Sequence, residues 1–157
     1  MRIGAECVRL KAESRLPALV DIVKQHYANV SQGDWQRDRE IMSPDVVTMA
    51  PGAGTLNGLD AFLGHEAVFP TAFPDARAEL IRAVASGDTV IVEGAFSGTR
   101  TGPLASPAGE VPPTGRSLRL EFADVFVIRD GIVVEHRIYY DQVEFMTQLG
   151  LMPSPVG

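Results

Sequence analysis

Two titratable side chains stand where the pattern of the chain calls for apolar ones. In the run 118–128, Leu118, Leu120, Phe122, Phe126 and Ile128 recur at every second residue, and Asp124 occupies the middle of that series. After Arg129-Asp130-Gly131 the chain returns. Ile132, Val134, Ile138 and Tyr140 alternate in the same way, and His136 is the one titratable member of their set. A carboxyl group in apolar surroundings has a raised pKa unless a cation compensates it, and a protonated imidazole is such a cation. Together the two can take a proton from the carbon next to a carbonyl and return it elsewhere. Well-placed acid–base groups of this kind typically contribute ~10² to 10⁴ in rate.

Whether the two groups meet depends on the turn. A two-residue Asp-Gly turn would set Asp124 opposite Arg137 and put the two apolar sets on opposite faces. A three-residue loop, with Gly131 at the positive φ of a bulge, would pair Ile128 with Ile132. Register follows the buried face, so the second arrangement is predicted. It sets Leu120 opposite Tyr140, Phe122 opposite Ile138 and Asp124 opposite His136, with opposed Cβ atoms ~5 Å apart. On the other face it sets Arg119 opposite Asp141. A purely structural ion pair would satisfy the same pattern, so a structural reading of Asp124–His136 stands beside the catalytic one.

The elements that must position this hairpin can be read in order. Leu16, Leu19, Val20, Val23, Tyr27 and Val30 form one helical stripe, with Ser14 as N-cap. Tyr27 lies on the core side and is either a plain core residue or a hydroxyl aimed into a pocket. His26 flanks the stripe and reads as a surface or edge histidine. Gly33 ends the helix, and Asp34 opens a short second one through Met42. A strand is predicted over 46–50 and a glycine-rich loop over 51–58. A helix follows over 59–69, with Phe62 on its apolar side and His65 at its edge, where it can line a pocket. Strands follow over 76–85 and 89–98, joined by Ser86-Gly87-Asp88. Residues 99–115 form a loop long enough to be functional or interfacial. The last helix begins at Asp141, whose Asp-x-x-Glu spacing to Glu144 makes a capping box, and stops at Gly150. Sequential strands joined by tight turns, with the helices segregated from them, indicate an α+β fold. Helices packed into the concave face of a curved sheet would leave a pocket at the wide end.

Several sets of residues carry a resemblance to a known family. They are Phe73-Pro74-Asp75-Ala76-Arg77, Gly87-Asp88, the run from Gly98 to Leu104, Pro112-Pro113-Thr114-Gly115-Arg116, and the tail with Asp130-Gly131, Glu135-His136-Arg137, Asp141 and Gln148-Leu149-Gly150. Over roughly 16–153 the chain resembles the SnoaL-like polyketide cyclases of the nuclear transport factor 2-like superfamily. The resemblance implies a cone-shaped antiparallel or mixed sheet with three to four helices on its concave face, and 1–157 as a single domain whose segment 1–15 is peripheral. It also implies a cofactor-independent intramolecular aldol closure or related proton transfer. An aspartate on the last strand and a histidine on the strand before it do that work in the family. Their positions here are Ile138 and Asp124. The loop position that many relatives fill with histidine is Arg100, and Asp141 matches the family's tail aspartate. Expected catalytic groups are therefore Asp124, His136 and Asp141, with Tyr27, Phe62, His65, Phe122, Ile138, Tyr140 and Arg100 around the substrate. Arg119 and the capping box also account for Asp141 without catalysis, and Arg100 either grips a carboxylate ligand or is solvated.

Composition bounds the partners. The chain has 157 residues, 45% of them hydrophobic and 22% charged, with a net charge of −6. No basic patch is visible, which argues against nucleic acid and anionic membranes. Cys7 is the only cysteine, so no internal disulfide or cysteine metal cluster can form. His26, His65 and His136 lack ligand spacing, and no metal is expected. No glycine-rich phosphate loop is present. No run approaches a membrane span, and the first residues lack a signal-peptide core, so a cytoplasmic protein is expected. The expected partners are a small apolar molecule and, from the resemblance, a second copy of the chain across the outer sheet face. Alternation assigns Ala123, Val125, Val127 and Val133 to that face. A non-catalytic carrier or sensor of an apolar ligand is the alternative reading.

Overall fold

The computed structural model describes residues 3–106 and 108–153, with residues 3–14 described by their backbone alone. Strand β7 (Ser117–Arg129) runs through the middle of a six-stranded sheet. Its inward residues Leu118, Leu120, Asp124, Phe126 and Ile128 are buried, as alternation requires. The sheet has the order β2-β1-β8-β7-β4-β3, from β1 (Met42–Ala50), β2 (Gly54–Asn57), β3 (Arg77–Ser86), β4 (Thr89–Thr99) and β8 (Ile132–Tyr140). Only β1 and β8 pair in parallel, so the sheet is mixed.

Helix α1 (Ile3–Ser31) packs chiefly on β3, α2 (Leu59–Glu66) on β1, and α4 (Gln142–Gln148) on β7. A short α3 (Val68–Ala72) follows α2, and a 3-10 turn (Trp35–Glu40) stands where a short helix is predicted. The helix of the first stripe begins well before the predicted N-cap, so Ser14 lies inside it rather than at its start. The backbone of residues 3–15 is part of this helix, and whether the segment is peripheral lies outside the described residues, since the side chains of 3–14 are not among them. Two predicted loops hold strands. Residues 51–58 turn back as β2 on the edge of β1, and the loop 99–115 carries a small hairpin of β5 (Leu104–Ser106) and β6 (Gly109–Val111).

The register of the last hairpin differs from the predicted one. Asp130 and Gly131 both have positive φ, 51° and 77°, which is a two-residue turn of the kind that Asp-Gly favours. Arg129 pairs with Ile132 and Ile128 with Val133. Val134 is then an extra residue, and the ladder resumes with Val127 opposite Glu135 and Phe126 opposite His136. The bulge thus lies within the strand rather than in the turn. Val133, expected on the outer face, is fully buried. Asp124 is directly opposite Ile138, and His136 is its diagonal neighbour on the same face. Arg119 does not meet Asp141. It approaches Glu79 at 3.4 Å, and Gln148 bonds both polar groups of its backbone.

The buried residues form two clusters. One gathers Val23, Phe62, Leu63, Val92 and Phe126, and the other Phe73, Leu118, Leu120, Phe145 and Leu149. No helix among the described residues is long and apolar enough to cross a membrane.

Candidate active site

Between the two clusters the sheet and the helices leave a cavity. Its volume is ≈ 100 Å³, several times the ~10–15 Å³ that one water needs. Tyr27, His65, Phe122, Asp124, His136, Ile138 and Tyr140 all line it. The space for Phe122 depends on Gly94, where a Cβ would clash with the Phe122 ring and stand 2.7 Å from the Glu79 carbonyl.

Asp124 sits in the wall, 4% exposed. Its Oδ2 accepts a hydrogen bond from the Tyr27 hydroxyl and lies 3.2 Å from His136 Nε2. Asp124 Oδ1 and His136 Nδ1 are buried without a hydrogen-bond partner among the described residues. Burial lowers the His136 pKa despite the Asp124 contact, so the neutral ring donates from Nε2. Burial, reinforced by the Asp124 charge, holds the Tyr27 hydroxyl well above the ordinary phenol range. The proton therefore stays on Tyr27, and the carboxylate keeps one oxygen bonded by two donors and one oxygen free. The His136 ring is stacked on Phe126, with centroids 4.2 Å apart and planes 13° apart, which fixes its direction.

A second aspartate–histidine pair enters the same cavity, and the sequence reading missed it. His26 is 3% exposed and lines the cavity. Its Nδ1 is 2.8 Å from Oδ2 of the buried Asp38, whose Oδ1 accepts from Asn29 at 2.8 Å. Burial alone would depress His26, but the Asp38 charge and hydrogen bond outweigh it and raise its pKa. The His26 and His136 rings lie edge to face, 5.3 Å between centroids. The signal was present in the sequence, because His26 follows Val23 by three residues and precedes Val30 by four, within the apolar stripe. Asp38 offered none, being one charge among several in a polar segment.

Glu66, also unforeseen, ends α2 at the cavity wall. The residue is half-buried in that wall, and burial raises its pKa to about 7. Burial also lowers His65 and raises Tyr140.

Three expected site residues lie elsewhere. Phe62 is fully buried behind the wall, its ring against those of His26 and His136. Arg100 is fully buried and does not line the cavity. Its Nη2 donates to the carbonyls of Val111 and Pro112 at 2.7 and 2.6 Å, and its backbone bonds Gly115 and Arg116. It fastens the base of the 100–116 loop, as a fork of donors among free carbonyls can. Asp141 is exposed and caps α4, accepting from the amides of Val143 and Glu144 at 2.8 and 3.0 Å. Its place at the strand–helix junction keeps it out of the cavity. Among the described residues, no group of three or more His, Cys, Asp or Glu side chains is placed to hold a metal ion.

The family model of the SnoaL-like polyketide cyclases matches residues 21–149, the stretch that holds the cavity and both aspartate–histidine pairs. The chain belongs to this family. A solved structure from Jannaschia sp. CCS1, provisionally assigned as a SnoaL-like polyketide cyclase, is similar with a TM-score of 0.78 and 24% identity, covering 88% of this chain and 95% of that one. IdmH of Streptomyces antibioticus, provisionally assigned as a polyketide cyclase, is 31% identical with a TM-score of 0.69, covering 84% and 98%. AclR of Streptomyces galilaeus, provisionally assigned as a hydroxylase, has a TM-score of 0.73 at 21% identity, covering 88% and 99%. None of the curated proteins compared matches significantly. The SnoaL-like chain therefore has the cone-type α+β fold of its superfamily, with helices on one face of a mixed sheet.

Proposed function

We propose that this SnoaL-like protein is a cofactor-independent acid–base enzyme of the polyketide cyclase or isomerase type, acting on a small apolar carbonyl compound. The supporting observation is Asp124, held on one oxygen by Tyr27 and His136 in the wall of an apolar cavity, with its other oxygen unpartnered. In this reading Asp124 Oδ1 takes a proton from the carbon next to the substrate carbonyl. The C–H electron pair moves into the new C=C bond and the carbonyl pair onto oxygen. His26, oriented by Asp38, hydrogen-bonds that oxygen; the enolate then collapses either onto a second carbonyl, whose oxygen takes the proton back from Asp124 as the C–C bond forms, or onto that same proton at another carbon. Positions 124 and 138 are direct cross-strand neighbours, and the family's histidine and aspartate would stand there. Here Asp124 is the carboxylate, and His136, one diagonal step away, is the imidazole.

A carrier or sensor of an apolar ligand remains the second reading. Ile138 supports it, since it presents an alkyl side chain to the cavity where the family has its carboxylate. Deuterium exchange into the α-carbons of 2-tetralone, followed by proton NMR, separates the two. The enzyme reading expects protein-dependent exchange that falls ~10² to 10⁴-fold in Asp124→Asn. Tight binding of the ketone, with exchange no faster than in buffer, would leave only the carrier. We further propose that a second copy of the chain covers the outer face of the sheet.

A further inference from the structure

A smaller hollow adjoins the main cavity and has a polar character of its own. On the same measure it offers ≈ 20 Å³, enough for one water-sized group. Val30, Glu66, Phe69 and Phe96 wall both spaces, while Trp35 lines the smaller one alone. Trp35 Nε1 is buried and has no hydrogen-bond partner among the described residues. An indole N–H can only donate, and leaving such a donor buried and unpaired costs free energy. The Glu66 carboxyl on the shared wall likewise makes no hydrogen bond or ion pair with a described group.

We propose that Trp35 and Glu66 form a recognition subsite for a hydroxyl group at one end of an apolar ligand whose body fills the main cavity. A hydroxyl oxygen accepts from Trp35 Nε1–H, and its proton is donated to Glu66. A carbonyl would satisfy only the indole, and an ammonium only the carboxylate. The rest of the subsite is aliphatic and aromatic, which suits a hydroxyl carried on a flat, apolar skeleton. This inference rests on the reading of the main cavity as the site for an apolar carbonyl compound. It narrows that class to phenolic or enolic compounds. Glu66, with its carboxyl raised to about 7 by burial, can also act as donor when protonated, so the hydroxyl is accommodated in either state.

Calorimetric titration with 2-naphthol and with naphthalene tests it, since the two differ by the hydroxyl alone. The intact chain is expected to bind 2-naphthol about tenfold more tightly, the effect of one well-placed pair of hydrogen bonds. The preference should fall to about one in Trp35→Phe and in Glu66→Leu. It should persist in Asp124→Asn. Trp35→Phe keeps the ring and its packing, so it decides the matter if Glu66→Leu does not fold. Equal binding of both compounds by the intact chain would overturn the subsite and leave the cavity reading standing. Loss of the preference in Asp124→Asn would place the hydroxyl on Asp124 and overturn the subsite as well. Binding of neither compound would overturn the cavity reading, and the subsite with it.

Discussion

Asp124 Oδ2 is bonded by two donors that stay protonated for different reasons. Tyr27 keeps its proton because its pKa is raised, and His136 donates from Nε2 as a neutral ring. Replacing Tyr27 by Phe removes a hydrogen bond to a buried charged acceptor, the kind worth ~1.5–3 kcal/mol. Urea denaturation at neutral pH should show Tyr27→Phe destabilised by that amount, and wild-type stability would show the bond to be unimportant. Glu66 makes the opposite kind of contribution. Its folded-state pKa is raised from 4.5 to about 7, so between those values the folded chain binds more protons than the unfolded one. Stability from this group is therefore full below pH ~4.5 and is lost as pH rises through 7. Glu66→Gln should leave stability nearly unchanged at pH 4 and raise it at pH 8 by at most ~3 kcal/mol. Denaturation curves for both chains at the two pH values check this, and a constant difference would refute it. His26, also raised, loses its contribution in the same direction, while His136, lowered, costs stability as pH falls through its ordinary range. The Glu66→Gln difference is read against that shared background.

At the scale of elements, α4 and the 100–116 loop separate structural roles from chemical ones. Asp141→Ala removes two hydrogen bonds at the helix start and should cost about 1 kcal/mol of stability. It should leave α-proton exchange untouched, because the carboxylate does not reach the cavity. A fall in exchange without a fall in stability would return Asp141 to the chemistry. Arg100→Met should release the carbonyls of Val111 and Pro112 and speed hydrogen–deuterium exchange through β5 and β6. Exchange rates unchanged there would deny Arg100 its fastening role. These two residues also show where the sequence was legible and where it was not. Period-two alternation placed Asp124 and His136 on the inner face correctly, and a cap reads from neighbours in sequence, so the start of α4 was found to within a residue. Arg100 could not be read this way, because its partners lie in a loop without periodicity. The register failed for a related reason. Turn chemistry and hydrophobic pattern gave conflicting pairings, and the chain satisfies both by placing Val134 in a bulge, a device without a sequence signature. Asp38 was invisible because its role depends on a contact across 12 residues with His26.

On the scale of the whole molecule, the sheet presents its outer face uncovered. Val47 and Met49 on β1, Ile81 and Val84 on β3, Ile91 on β4 and Tyr139 on β8 are 37–56% exposed. They spread across most strands of the sheet, so the apolar surface belongs to the face as a whole. Their side chains point away from the cavity because successive residues of a strand alternate, and the strand face that builds the site fixes what the other face shows. Charges are interspersed. Arg82 lies near Glu93 at 3.5 Å and Arg119 near Glu79 at 3.4 Å, exposed pairs of the kind worth ~0–1 kcal/mol. A two-fold pairing would bring the apolar residues of the two copies together across the axis, with these charges around them. A stable contact of this kind needs to bury roughly 1,200–2,000 Å² in total, a demand that a sheet face can meet and an isolated patch cannot. Sedimentation equilibrium should therefore find a dimer, and Ile91→Lys, an introduced charge without an inward contact, should shift it toward monomer. The aspartate–histidine pairs lie on the inner face, so the variant should keep its α-proton exchange. A wild-type chain that sediments as a monomer at high micromolar concentration would remove the dimer, and leave the chemistry of the inner face where it stands.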